Sequence, residues 1–251
     1  MRILKPFLYP AKCLNCGAYL DIVHDEPECE LSECFCDACL SHSPELLEEP
    51  FCIKCGMKFS EPGSSNHVCE SCLKHPLKLE QVRAALVYSG IVTKAIPLFK
   101  YHSKLVLANV FEHILFKTFM RYFDTCSIDI VMPVPLHRSK TFKRGFNQSF
   151  LMIRHFPDFY NDKTGHRPSW KTDIKSLVRV RKTSSQTGFD HEQRRKNLKN
   201  AFRVAEPDKV YKKNILLVDD VFTTGATCNE AAATLLKNGA EKVSALVLAR
   251  A

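Results

Sequence analysis

The sequence contains no apolar run long enough to span a bilayer. It opens with no cleavable export signal: residues 1–10 carry Arg2 and Lys5 and only a short apolar patch interrupted by prolines. The expectation is a cytoplasmic chain without a membrane span. Disulfides are rare in that reducing compartment, so clustered thiols there point to metal. The amino-terminal segment is also poor in aliphatic residues, too poor to build a large core of its own. Cysteine takes their place: ten of the twelve lie before residue 73.

Eight of these thiols form four C-x2-C pairs. Cys13/Cys16 and Cys36/Cys39 are separated by 19 residues, and Cys52/Cys55 and Cys69/Cys72 by 13. A C-x2-C turn points two thiolates at one tetrahedral ion, and two turns close the shell, which is the pattern of a zinc ribbon. One or two structural Zn²⁺ are expected, paired in sequence order, with crossed pairing of the knuckles left open. Metal affinity then supplies folding free energy that the missing core does not. Cys29 and Cys34 do not fit the spacing and are open to three readings: spare thiols, a redox pair, or replacement ligands. His24, His42 and His67 are further candidate ligands, although lone histidines in loops are ordinarily solvated.

Charge is unevenly spread. Residues 1–80 hold 7 Lys+Arg and 13 Asp+Glu, whereas the whole chain carries +9. The excess concentrates in residues 137–203, with 17 basic and 5 acidic side chains. Such a face attracts pyrophosphate, nucleotides or nucleic acid. The acidic head is not suited to gripping phosphates directly.

The richest stretch is Ile215-Leu216-Leu217-Val218-Asp219-Asp220-Val221-Phe222-Thr223-Thr224-Gly225-Ala226-Thr227. Its apolar start reads as a buried strand of a parallel sheet. Residues 228–239 read as a helix with Gly239 as its stop. The Thr/Gly turn therefore sits where ligands bind in open α/β sheets. Amides and the helix dipole make an anion site there. Gly225 permits close approach, and Thr223, Thr224 and Thr227 add hydroxyls. Asp219 and Asp220 would repel a phosphate but suit sugar hydroxyls or a hydrated Mg²⁺. The combination reads as a ribose-5-phosphate clamp.

This block resembles the phosphoribosyl-pyrophosphate (PRPP) signature of type I phosphoribosyltransferases. Over nearly its full length the chain resembles the ComF competence family, also described as amidophosphoribosyltransferase-like. Further matching pieces are Asp129-Ile130-Val131-Met132-Pro133-Val134-Pro135-Leu136, Arg144-Gly145-Phe146-Asn147-Gln148-Ser149, residues 181–186 with Arg194, Arg195 and Asn197, and the cysteine pairs. The resemblance implies an α/β fold of the type I phosphoribosyltransferase kind, a mostly parallel sheet flanked by helices, with a small zinc-ribbon head. It implies a head over residues 1–78 and a transferase-like body over 79–251. PRPP would meet Asp219, Asp220, Val221, Thr223, Thr224, Gly225, Ala226 and Thr227, with Val134, Pro135, Leu136 and Arg144 on the diphosphate side and Mg²⁺ accompanying the ligand. Catalytic roles would fall to Asp219, Asp220, Arg181 and Lys182, the last two on a flexible loop that continues through Gly188. No base-recognition hood is recognisable, and the chain does not begin with the nucleophilic Cys of the full amidotransferase.

The body reads as strands over 81–88, 128–132, 176–180, 201–204 and 243–249. Helices are expected over 91–101, broken near Pro97, over 105–123, and from 145 to about 155. Residues 158–173 read as a polar linker and 190–197 as a helical return. Asn147 is expected to cap, orient or contact ligand, and His137, Arg138, Lys140 and Lys143 join Arg144 as cations for a diphosphate. Two functions compete. One is a phosphoribosyltransferase acting on PRPP. The other is a non-catalytic PRPP sensor that binds single-stranded DNA, with Phe142 and Phe146 as stacking candidates and DNA-uptake or recombination proteins as partners.

Overall fold

The computed structural model describes residues 11–20, 30–41, 45–59, 65–102, 104–182 and 197–251. In chain order the body comprises β1 (Val82–Val87), α1 (Val92–Tyr101), α2 (Val106–Tyr122), β2 (Ile130–Pro133), α3 (Arg138–Arg144), α4 (Phe156–Thr164), β3 (Lys171–Thr172), β4 (Leu177–Arg179), β5 (Phe202–Val204), β6 (Asn214–Phe222), α5 (Ala226–Lys237) and β7 (Lys242–Arg250). Five strands form one sheet in the order β1-β7-β6-β2-β3, with every neighbouring pair parallel. The short strands β4 and β5 form a separate antiparallel pair.

Strand alternation sorts the core into two layers. Leu216, Val218, Leu246 and Leu248 pack with Ile96 and Phe99 of α1 and Phe111, Leu115 and Phe119 of α2. Ile215, Leu217, Ala245 and Val247 pack with Ala231, Ala232 and Leu235 of α5. This is the mostly parallel, helix-flanked sheet that the apolar runs predict. From β2 the chain moves outward to β3, and from β6 it moves the other way to β7. The crevice beyond the carboxyl ends of β2 and β6 is thus the topological switch point, where such sheets bind ligands.

Three local expectations are corrected. The strand expected to end at Val218 continues through both acids to Phe222. Helix α1 runs through Pro97 without a break, since a proline in so short a helix removes one rung of its ladder. The helix expected from 145 to 155 is only a single turn, Gln148–Leu151, and α4 occupies the first half of the segment read as linker. That helix escaped notice because Phe156 is its one fully buried residue; Pro157 opens it and Gly165, left-handed at φ 74°, ends it. The expected loop over residues 183–188 and the return over 190–196, with Arg194 and Arg195, lie outside the described residues.

The cysteine-rich head grips the edge of the sheet. Leu47 N donates to Ala85 O (3.0 Å) and Val87 N to Glu45 O (2.8 Å), so residues 45–47 run antiparallel along β1. This covers an edge otherwise open to pairing with another chain. The first cysteine group packs with Leu31 and Phe35 in the layer of α1 and α2, and the second with Leu47, Phe51 and Leu79 in the layer of α5. Gly56 lets the Cys52/Cys55 knuckle touch β1: at its φ of 66° a Cβ would sit 2.9 Å from Val82 O.

Candidate functional site

The head holds two sets of converging thiols. Cys13, Cys16, Cys36 and Cys39 form one and Cys52, Cys55, Cys69 and Cys72 the other, with all Sγ atoms of a set within 4.8 Å of one another. A tetrahedral ion with Zn–S bonds of about 2.3 Å needs sulfurs ~3.8 Å apart. Cys55 and Cys69 Sγ are separated by 3.7 Å. The amides of Cys55 and Cys69 donate to Cys52 Sγ at 3.4 and 3.3 Å, as a thiolate ligand requires. Burial pushes the Cys52 thiol up, but these N–H bonds outweigh it and bring it down to about 7. Both sets fit structural zinc, in the sequential pairing. Cys34 lies outside them: it is 2% exposed in the apolar core, and burial raises its thiol to about 11. His67 is no member of either set; it stacks on Phe59 and meets Ser65 O through Nδ1. Cys29, His24 and His42 lie outside the described residues.

At the switch point the two acids are 9% and 6% exposed, and adjacent strand positions send them to different helices. Asp219 accepts from Ser149 Oγ (3.1 Å) and lies 4.0 Å from Cys228 Sγ of α5. Asp220 accepts from Gln148 Nε2 (2.9 Å) and pairs with Lys100 Nζ of α1 (2.7 Å). Burial, then the neighbouring Asp220, push Asp219 up to about 7. Burial and both carboxylates keep Cys228 a thiol. The turn that follows has Gly225 left-handed at φ 73°, where a Cβ would strike the Phe222 ring. Thr224 Oγ1 accepts from Ala226 N (3.3 Å), and Arg250 holds the carbonyls of Phe222 and Thr223 at 3.1 and 2.9 Å. The twelve-residue α5 directs its positive end at this turn.

Cations crowd the same crevice. Burial, then Arg179, Arg144 and Lys100, lower the Lys140 ammonium, so three further cations lie within electrostatic reach of Lys140. Arg179 also feels Asp219. Arg144 donates to Gln148 Oε1 (2.5 Å), which links it through Gln148 to Asp220. Two carboxylates do not balance four cations. The arrangement is chemically suited to an anion with several charges.

Val134 lies against β6, and Arg144 reaches Asp220 through Gln148, whereas Pro135 and Leu136 line a neighbouring cleft. Val134 N donates to Val218 O (2.9 Å), which fastens the loop to β6. Asn147 caps and orients: its Nδ2 donates to Val134 O (3.2 Å) and its Oδ1 accepts from Ser149 N. Arg181 instead donates to the carbonyls of Lys199 and Asn197, and Lys182 is exposed beside it. Phe146 stacks on Phe99. Sequence reasoning missed Lys100, Arg179 and Arg250. Lys100 had a readable signal, a charge beside Ile96 and Phe99 on a helix otherwise turned to the core; the other two depend on contacts distant in sequence.

A parallel α/β sheet with an anion-seeking strand–turn–helix at its switch point, and a head with two four-cysteine sets, defines the class. No family model matches the chain. Over 207 residues it is 30% identical to the DNA utilization protein YhgH of Escherichia coli O157:H7, covering 81% of this chain and 85% of that protein. It is 27% identical to Competence protein F of Haemophilus influenzae over 96% of this chain and 97% of that one. Competence protein ComFC of Bacillus subtilis is 26% identical over 86% and 83%. The chain belongs to the ComF family of competence and DNA utilization proteins. Among solved structures it aligns with the allosteric regulatory enzyme of purine biosynthesis at a TM-score of 0.33 and 17% identity, over 55% of this chain and 25% of that one. A Staphylococcus aureus hypoxanthine phosphoribosyltransferase aligns at 0.29 and 13%, over 58% and 62%. Both are too distant to carry an argument. Among the described residues no helix is long and apolar enough to cross a membrane.

Elemental analysis of purified protein is expected to give two zinc per chain, one lost in Cys52→Ser and none in Cys34→Ser. Asp219 supplies a pH test. Its folded pKa of about 7 lies above the ordinary carboxylate value of about 4, so its contribution to stability is full at acid pH and lost as pH rises to about 7. Asp219→Asn is expected to match wild type in thermal unfolding near pH 4 and to be more stable above pH 7. A gap that does not open with pH contradicts the assignment.

Proposed function

We propose that this chain is a cytoplasmic PRPP-binding, phosphoribosyltransferase-like protein of DNA utilization, with a zinc-ribbon head over residues 1–78 and a ligand-binding body over 79–251. The observation that carries the reading is the convergence of Lys100, Lys140, Arg144 and Arg179 on one crevice that also holds two carboxylates and the first turn of α5. PRPP has matching chemistry: a phosphate monoester at one end, a diphosphate at the other and hydroxyls between. The 5-phosphate would rest on Thr223, Thr224, Gly225, Ala226 and Thr227 beside Val221, and the diphosphate on the 134–136 loop and Arg144. Asp219 and Asp220, at the floor, are acceptors for the ribose hydroxyls. Mg²⁺ carried with the diphosphate supplies further positive charge. In a transfer, the C1–O bond to pyrophosphate breaks as a nitrogen nucleophile bonds to C1. Arg181 and Lys182, at the start of the expected loop, would supply positive charge to the departing group.

Calorimetry with PRPP and Mg²⁺ is expected to show binding that Thr227→Asp weakens at least tenfold, because a carboxylate at α5's first turn repels the ester. No heat with the wild-type protein overturns this reading. Pyrophosphate release with ammonia or nucleobases, measured against Asp219→Ala/Asp220→Ala, then decides between turnover and sensing.

A second observation supports single-stranded DNA as a partner. Phe142 is 93% exposed on α3, between Arg138 and Arg144, and Tyr101, 68% exposed, lies 5.1 Å under the Arg144 guanidinium. Exposed rings among cations are how strands are held without sequence preference. Phe142→Ala is expected to cost about 1–3 kcal/mol, or roughly 5- to 150-fold, in oligonucleotide affinity at low salt. Unchanged anisotropy titrations in that variant remove the DNA reading.

A further inference from the structure

Beside the 134–138 loop lies a cleft of about 610 Å³ that neither the paired acids nor the Thr/Gly turn lines. Its apolar walls are Phe150, Ile174, Leu177 and Val178, and its charged groups are Arg138, Arg179 and Arg203. Among the described residues no carboxylate lines it. A second cleft of about 580 Å³, at the opposite end of β2, is different: its lysines share the walls with Asp129 and Asp173, and Asp129 already holds Lys213. Of the two, the first alone combines apolar walls with arginines and an acid-free lining. Arg179 is nine-tenths buried in its wall, and the backbone of His137 bridges to it.

We propose that this cleft binds a nucleoside 5′-phosphate, the base against Phe150, Ile174 and Leu177 and the phosphate on Arg138 and Arg203. Guanidinium forks match phosphate oxygens, and apolar walls accept the flat face of any base. The volume suits a ligand larger than a lone ring with an acidic group. The polar side chains favour an acceptor-rich ligand over a peptide, because the arginines only donate and the Asn147 amide is already committed to Val134 and Ser149. A free mononucleotide and the phosphorylated end of a single strand present the same chemistry.

Calorimetric titration of the zinc-loaded full chain with dAMP, dTMP, and the trinucleotide TTT with and without a 5′-phosphate tests the site. We expect binding of the phosphorylated ligands, weakened at least tenfold in Arg138→Glu/Arg203→Glu and changed less than twofold in Thr227→Asp, which marks the PRPP crevice. Val178→Trp, which fills the apolar wall, repeats the loss if the charge reversals do not fold. Binding of mononucleotides identifies a free effector, and binding of the phosphorylated trinucleotide alone identifies a strand end; both uphold the site. Absence of binding by every phosphorylated ligand, or a loss that tracks Thr227→Asp, overturns it. The cleft shares Arg179 and the 135–136 loop with the proposed PRPP crevice, and the Thr227→Asp arm separates the two sites.

Discussion

The pair between Lys100 and Asp220 organises the crevice. Two carboxylates at the end of the central strand are costly to bury unless they are bonded. Asp220 is matched by Lys100 and Gln148. Asp219 accepts from Ser149 Oγ, the Asp220 amide and Cys228 Sγ but forms no direct ion pair among the described residues, and burial and Asp220 push it toward its neutral form. Satisfying Asp220 brings α1 and the Gln148–Leu151 turn to the end of β6. Gln148 in turn holds Arg144, so the loop after β2 is tied to the same carboxylate. The cations gathered around Lys140 outnumber the two acids.

The head performs a different task with a different force. Thiolate sets replace a hydrophobic core too small to fold alone, and their knuckles sit on both layers of the sheet. The segment joining them covers the free edge of β1. Zinc held by these sets would stabilise the flank of the sheet that carries the candidate ligand site.

Much of this was readable without coordinates. The C-x2-C spacings, the apolar strands and the glycine–threonine turn are short-range patterns whose physical meaning depends on neighbours a few residues away. The conformational freedom expected of Gly225 followed from them, whereas the choice between sequential and crossed pairing of the knuckles came from the converging thiols. The short helix α4 did not, because a surface helix with one buried residue has hardly any apolar period. Pro97 misled for a related reason: proline weakens a helix, but packing of Ile96 and Phe99 held this one together.

The sequence by itself determined the four-cysteine spacing of the head, the buried strands and the position of the glycine–threonine turn, since each rests on local pattern. Only the tertiary structure decided how the acids are shared out, which cations face them, and that Arg179 rather than Arg181 lies near Asp219. Those choices depend on side chains brought together from strands and helices far apart in the chain, through burial and charge balance that no local pattern encodes.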